Sequence, residues 1–374
     1  MIYFDYAATT PMSNTALTAY TEAARKYFGN ANSIHDCGTE AQQVLHLCKQ
    51  KVSTYIGATP EQIHFTSGGS ESNLLAIEYL KQQTVGKHII LSAGEHNSIR
   101  QTEDKLINEG YEVSIVYFNE QGVMDLEMLY ELTRDDTAFI SVQHINGEIG
   151  TIQPIDEISI WCQENHIKLH VDAVQSFGKI DLTQIANQVD SLSVSGHKIY
   201  GPKGIGLLYL KETPIYEPSL FQFVLKGNTV DIPSVVAFTA SCEESVHLLK
   251  QEVVQMEQLR QTFKQSLNYK EYIRFFEAEE ENQLASIIGM AIERMDGQYV
   301  MLECNRHNFA ISTGSACDVR YQKMTNTMEA LQVGEETARQ FFRISFGRYT
   351  TESNIRSLAK CLNDLIQSQV ISGV

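Results

Sequence analysis

The stretch SVSGHKIYGPKGIGLLYL, residues 193–210, sets Lys198 between two apolar runs. The first run ends at Ser195, His197 directly precedes the lysine, and Gly201 and Gly204 punctuate the turn before the second run. Short apolar runs bounded by glycine read as buried strands. An amine in the cramped turn between two such strands either reaches solvent or holds a carbonyl group, and the rest of the chain separates these readings.

Working outward, EQIHFTS, KHIILSA, YEVSIVYF, AFISVQHI, IKLHVDA, SLSVSG and GIGLLYL are short, rich in β-branched and aromatic residues, and bounded by polar residues or glycine. Helix-length segments separate several of them. In TEAQQVLHLCKQKVSTYIG, residues Ala41, Val44, Leu45, Cys48, Val52 and Tyr55 form one stripe that stops at Gly57. SNLLAIEYLKQQ and DEISIWCQENH read the same way. Strands alternating with helices predict an α/β fold whose seven-stranded, mostly parallel sheet is covered by helices. Ligands of such sheets collect at the carboxyl ends of the strands. Four of the seven prolines fall between Pro202 and Pro233, so an irregular segment is expected there. Beyond it Met256, Leu259, Phe263 and Leu267 keep helical spacing, and LASIIGMAI and FFRISFG read as strands. The expected division is a large domain over 13–250 and a smaller α+β domain made of 1–12 and 251–374.

With 374 residues, 43% of them apolar, the chain can bury a substantial core. The formal charge of −17 argues against binding nucleic acid over a broad surface. No stretch approaches the roughly 18 consecutive apolar residues of a membrane helix, and MIYFDYAATT lacks the basic and apolar regions of a secretory signal. No membrane association and a cytoplasmic location are the expectations. The seven cysteines, an odd number, form no CxxC pair, so neither a disulfide framework nor a zinc ribbon is expected. CNRH, at Cys304 to His307, is half of a metal motif that nothing completes, so no metal is expected.

Three motifs carry chemistry. In FTSGGSESN a strand ends at Thr66, two glycines follow, and Ser70 and Glu71 open a helix. Free N–H groups at a helix start reached through glycines make an anion site; a plain serine N-cap is the competing reading. No Walker loop and no GxGxxG fingerprint occurs. In HVDAVQS, Asp172 ends a buried strand and Gln175 follows. A carboxylate there costs several kcal/mol to desolvate unless a cation pairs with it; capping a helix is the alternative. The third motif is the lysine turn with Ser195 and His197. A phosphate cradle, an acid for a pyridinium and a lysine for an aldehyde are together what pyridoxal 5'-phosphate requires.

The sequence resembles the cysteine desulfurases of the NifS/IscS type, within the class V aminotransferase group of fold-type I pyridoxal-phosphate enzymes. The resemblance runs nearly end to end: FDYAATTP, YFGNANSIH, FTSGGSES, GEHNS, NGEIG, HVDAVQS, SGHKIYGPKGIG, ISTGSAC and RISFGRYTT each match a family motif. The lysine segment points to the wider superfamily, and the cysteine loop with the arginine segment narrows it to desulfurases. The family implies that Lys198 holds the cofactor as a Schiff base and moves protons at the substrate's α-carbon. His96 would stack on the ring and serve as an acid–base. Asp172 would pair with the pyridine nitrogen and Gln175 with the ring hydroxyl. Gly69, Ser70, Ser195 and His197 would hold the phosphate. Thr229, in KGNTVDIP, would reach the phosphate of a partner subunit, which implies a homodimer. Arg348 would grip the substrate carboxylate. Cys317 would take the sulfur of L-cysteine as a persulfide, leaving L-alanine, and pass it to a sulfur-acceptor protein for iron–sulfur assembly or other sulfur transfer.

The chain departs from the family at four places. Gly147 stands where a second asparagine is usual, Leu74 replaces an asparagine, SLFQF replaces a glycine-rich segment, and Lys226 replaces an arginine. A selenocysteine lyase or aminotransferase on the same fold, and a scaffold that binds cofactor without turnover, remain open alternatives.

Overall fold

A computed structural model describes residues 1–212, 229–313 and 324–371. The seven expected runs form one sheet: β2 (Ile63–Thr66), β3 (His88–Ser92), β4 (Glu112–Val116), β5 (Thr137–Gln143), β6 (Lys168–Asp172), β7 (Ser191–Ser195) and β8 (Gly206–Leu210). A short β1 (Ile2–Tyr3) precedes them. The sheet order is β2-β8-β7-β6-β5-β3-β4. β8 runs antiparallel to both of its neighbours, and the other pairings are parallel. The sign change between β7 and β8 follows from the tight Lys198 turn, since a short connection can join only antiparallel neighbours.

The central strands are buried on both faces, and along them apolar residues alternate with small or polar ones such as Ser191, Ser193, Ser195 and His170. Ile140, Val142, Leu169, Val171, Leu192 and Val194 are all inaccessible. One face packs on α2 (Asp36–Thr54) through Cys48 and Val52, with Val44, Leu45 and Tyr55 at the rim of the same core. The stripe read from the sequence is thus the buried one. The other face is covered by α3 (Gly69–Gln83), through Leu75, Ala76, Ile77, Tyr79 and Leu80.

The long helix Ile232–Ser266 leaves this layer and enters a second one. There β9 (Ile273–Phe276), β10 (Ile287–Ile292) and β12 (Phe341–Ser345) make an antiparallel sheet of order β12-β10-β9. β11 (Phe309–Ala310) pairs with β1 in parallel. A separate core gathers Met256, Leu259, Phe263 and Leu267 with Ile288, Phe342 and Leu362, and Phe4 joins it from the chain start. The segment after Phe4 therefore runs from the second core toward the ends of β6 and β7, and this crossing builds the site. The proline-rich stretch and the SLFQF segment fall largely outside the described residues.

Candidate active site

Every expected cofactor residue of the large sheet sits where a strand stops. After β7 a single helical turn, Gly196–Lys198, turns the chain sharply. Tyr200 follows with φ of 63°, in the left-handed region a bulky residue seldom adopts. It is held from two sides: its N–H donates to Thr10 Oγ1 at 2.8 Å, and its hydroxyl accepts from the Arg348 N–H at 2.7 Å. Gly206 closes the turn, since a Cβ there would lie 2.7 Å from the backbone of Gly68.

This turn delivers the Lys198 amine into the interior. It donates to the carbonyls of Ala7 at 2.5 Å and Ala8 at 2.9 Å. Burial, reinforced by the Arg343 guanidinium and opposed by Asp5 and Asp172, pushes its pKa down to about 8. An amine so close to neutrality has a substantial nucleophilic fraction at ordinary pH. The solvated-lysine reading of the turn does not survive.

Asp172 is buried at the end of β6. Its Oδ1 accepts from the Val174 N–H at 2.9 Å, and its Oδ2 accepts from Asn73 Nδ2 at 2.9 Å. Asn73, buried on α3, also donates to Ser98 Oγ at 3.0 Å, while its Oδ1 faces His170 Nε2 at 3.2 Å. Ser98 in turn meets His96 Nδ1 at 2.8 Å. A polar chain thus connects His96, whose ring is exposed, to the buried carboxylate. Burial pushes His170 and His197 down to about 4, so both are neutral.

At the glycine–serine turn Ser70 is not the helix cap. Helix α3 begins at Gly69, and Gly68 is its N-cap residue without a side-chain cap. Ser70 therefore lies inside the first turn, whose N–H groups have no carbonyl to meet. Gly68 adopts φ of 151°, and Ser195 Oγ lies 4.0 Å from where its Cβ would be. That hydroxyl is buried and has no hydrogen-bond partner among the described residues. A Cβ on Gly69 would come within 2.7 Å of Val174 Cγ2. The cradle fits a phosphate group, and Asp172 and Lys198 stand where a protonated ring nitrogen and an aldehyde would find them.

Gln175 donates from Nε2 to the Ala7 carbonyl at 2.8 Å and accepts at Oε1 from Lys179 Nζ at 2.6 Å. A side chain on Gly147 would press on this amide, its Cβ 3.2 Å from Nε2. Leu74 is 46% exposed on the outer side of α3.

The two arginines of RISFGRYTT are placed differently. Arg348 lies over the Tyr200 ring, 4.1 Å from its centroid, and is held by Glu244 through Nη1 and Glu252 through Nε, each at 2.5 Å. Arg343 is buried in β12, and its charge helps to lower the Lys198 pKa. Its Nη1 donates to the Gly147 carbonyl at 2.8 Å, its Nη2 pairs with Asp5 at 2.6 Å, and its Nε is buried without a partner. Behind Lys198 a cavity of about 570 Å³ opens between the two layers, bordered by Lys179, Tyr200, Glu252 and Arg348. Thr229 is exposed, and its Oγ1 accepts from Asn30 Nδ2 at 3.5 Å. Cys317 lies outside the described residues. Among the described residues no cluster of side chains could hold a metal ion, and no helix is long and apolar enough to cross a membrane.

The sequence profile of Aminotransferase class-V matches residues 2–358. The chain belongs to the class-V aminotransferase family. Within this family it is similar to the putative cysteine desulfurase NifS of Bacillus subtilis, 41% identical over 366 residues that cover 96% of this chain and 93% of that protein. It is also 32% identical to the cysteine desulfurase IscS of Dictyoglomus turgidum, over 98% of this chain and 94% of that one. Among solved structures, a NifS-like protein superposes with a TM-score of 0.89 at 28% identity, covering 98% of this chain and 99% of the other. A structure of SspA in complex with cysteine gives a TM-score of 0.77 at 29% identity, over 94% of this chain and all of that one, 100%. The α/β architecture read from the strand pattern is that of these class-V enzymes.

Asp5, Asn73, Ser98, Lys179 and Arg343 belong to the site and were not singled out from the sequence. One signal was available for Arg343: it is the sole charge within the apolar run FFRISF, and a charge buried in a strand needs a partner or a purpose.

Proposed function

We propose that this chain is a pyridoxal-phosphate-dependent cysteine desulfurase that works as a homodimer. The reading rests above all on Ser195: a buried hydroxyl without a partner facing an uncapped helix start, beside a buried amine and a buried carboxylate. The cofactor, when bound, supplies an aldehyde for amines and an electron-withdrawing ring. Ser195, His197, Gly69 and Ser70 would hold its phosphate, Asp172 would keep its ring nitrogen protonated, Gln175 would hydrogen-bond its ring hydroxyl and His96 would stack on its ring. Lys198, poised near neutrality, carries a proton to and from the α-carbon of the substrate.

Arg343, rather than Arg348, holds the carboxylate of L-cysteine. Its Nε has no partner among the described residues, its charge acts on Lys198, and both of its other nitrogens are already braced. Arg348 instead ties the lysine turn to the long helix. The Cys317 thiolate attacks the substrate sulfur: the carbon–sulfur bond breaks, a sulfur–sulfur bond forms on Cys317, and the proton of the thiol ends on the product, L-alanine. The persulfide then passes to an acceptor protein thiol in the cytoplasm. Thr229, exposed on one subunit, contributes to the phosphate site of the other. The chain divides into a cofactor domain over 13–250 and a smaller domain of 1–12 with 251–374.

The names of the similar proteins and the ISTGSAC segment favour a desulfurase over a plain aminotransferase. The test is direct. Purified protein supplied with pyridoxal phosphate, L-cysteine and a thiol reductant should form alanine and sulfide in equal amounts. Cys317→Ala should abolish this, and Lys198→Ala should abolish the visible absorption of the loaded protein. Absence of alanine in the wild-type reaction overturns the reading.

A further inference from the structure

We infer that Lys179 is a positioning residue of this site: it fixes which end of the Gln175 amide faces the cofactor. The inference rests on the pyridoxal-phosphate reading above. A primary amide has an accepting end and a donating end, whereas a lysine amine at hydrogen-bond distance from a carbonyl oxygen donates. Lys179 Nζ meets Gln175 at 2.6 Å, so the end it meets is oxygen. The Ala7 carbonyl meets the other end at 2.8 Å, so that end is nitrogen. Reversing the amide would set donor against donor and acceptor against acceptor. Gln175 therefore presents N–H groups toward the strand ends, where a ring oxygen would accept one.

Two features make this arrangement specific to the site. First, Gly147 offers no side chain to the amide, since even a Cβ would stand 3.2 Å from its nitrogen. Orientation is left to Lys179 and Ala7. Second, the Lys179 amine is enclosed close to a like charge. Burial, then Lys198 and Arg343, weigh against its protonation, and Glu252 alone favours it. Groups set against such opposition cluster at functional sites. The Ala7 carbonyl also accepts from Lys198 at 2.5 Å, so the path Lys179 to Gln175 to Ala7 to Lys198 is continuous.

The test uses the loaded full-length protein without substrate. The pH midpoint of its visible absorption change is measured for wild type, K179M, K179R, Q175L and K179M/Q175L, with a thermal melt of each. Losing an oriented donor to the ring oxygen makes protonation at residue 198 easier. K179M is expected to raise the midpoint by about one pH unit. In the Q175L background the same change should raise it by less than about a third of that, because Lys179 acts through the amide. K179R, which keeps a donor and the charge, should titrate like wild type and melt normally. An unchanged midpoint in K179M, or an equal shift in both backgrounds, overturns the inference. A protein that titrates as expected yet forms no alanine from cysteine leaves it standing and defeats only the desulfurase reading. A wild-type protein with no visible band defeats both.

Discussion

Arg343 and Asp5 form an ion pair of 2.6 Å that joins the second sheet to the N-terminal segment supplying the carbonyls around Lys198. Both partners lie within electrostatic reach of the lysine, with opposite effects on it. If Arg343 holds the substrate carboxylate, Arg343→Gln should raise KM for cysteine by roughly 10- to 100-fold, the equivalent of losing a charged hydrogen bond of about 1.5–3 kcal/mol. Arg348→Gln should instead strand Glu252 and Glu244 and lower the melting temperature, with KM nearly unchanged. Steady-state kinetics and thermal melts of the two variants decide. An unchanged KM in the Arg343 variant sinks the assignment.

Ser195 makes a sharper test, because stability and binding should separate. Its buried hydroxyl has no partner among the described residues, so Ser195→Ala removes no hydrogen bond to them. The melting temperature without cofactor should hold or rise. Affinity for pyridoxal phosphate, followed by absorbance on dialysis and reconstitution, should fall about tenfold, since a lost hydrogen bond costs roughly 0.5–1.5 kcal/mol. Unchanged affinity would remove Ser195 from the phosphate site.

Without cofactor, Lys198 should leave a mark on the pH dependence of stability. Its folded pKa is depressed from 10.5 to about 8. Between those values the unfolded chain binds more protons than the folded one, so stability rises with pH. The contribution is fully present above about 10.5 and is lost as pH falls through about 8. Across that window the gain is about 3 kcal/mol in order of magnitude. Denaturant melts of apo wild type and Lys198→Met between pH 7 and 10.5 should therefore show a steeper pH rise in wild type; parallel curves would mean the amine is not enclosed.

Much of this was legible before any coordinates. β2 to β8 are readable because each is a short run with β-branched, aromatic or leucine residues bounded by polar residues or glycine, and Lys198, Asp172 and the Gly68–Gly69 turn because ligands gather just beyond strand ends. What the sequence did not announce were contacts between distant segments. Asp5 and Arg343 are separated by nearly the whole chain, and only the fold makes them a pair. The choice between Arg343 and Arg348 turns on Asp5 and Gly147, far upstream of Arg343, and on Glu244 and Glu252, more than ninety residues upstream of Arg348. Local pattern carries no such information. Nor could it distinguish Ser70 as a cap from Ser70 inside the first turn, because helix ends shift by a residue or two within one pattern.

Asn73 ties the stability of the fold to the chemistry of the site most directly. It is wholly buried, donates to Asp172 and Ser98, and faces His170 through its oxygen. A neutral His170 can donate one N–H to that oxygen and accept from Ser191 at Nδ1, 2.9 Å away, so each member of the chain satisfies the next. Asn73→Leu keeps the volume but leaves Asp172 and His170 each short of a partner inside the protein. Buried groups left unsatisfied cost about 1–3 kcal/mol each, so a loss of several degrees in melting temperature is expected. Asn73→Asp should be worse, because it sets a second carboxylate 2.9 Å from Asp172, where the amide nitrogen now donates. Thermal melts with and without pyridoxal phosphate separate the two roles. If Asn73 also steadies the carboxylate that serves the ring nitrogen, the stabilisation that cofactor confers on wild type should shrink in both variants. If that increment is unchanged, Asn73 supports the fold alone.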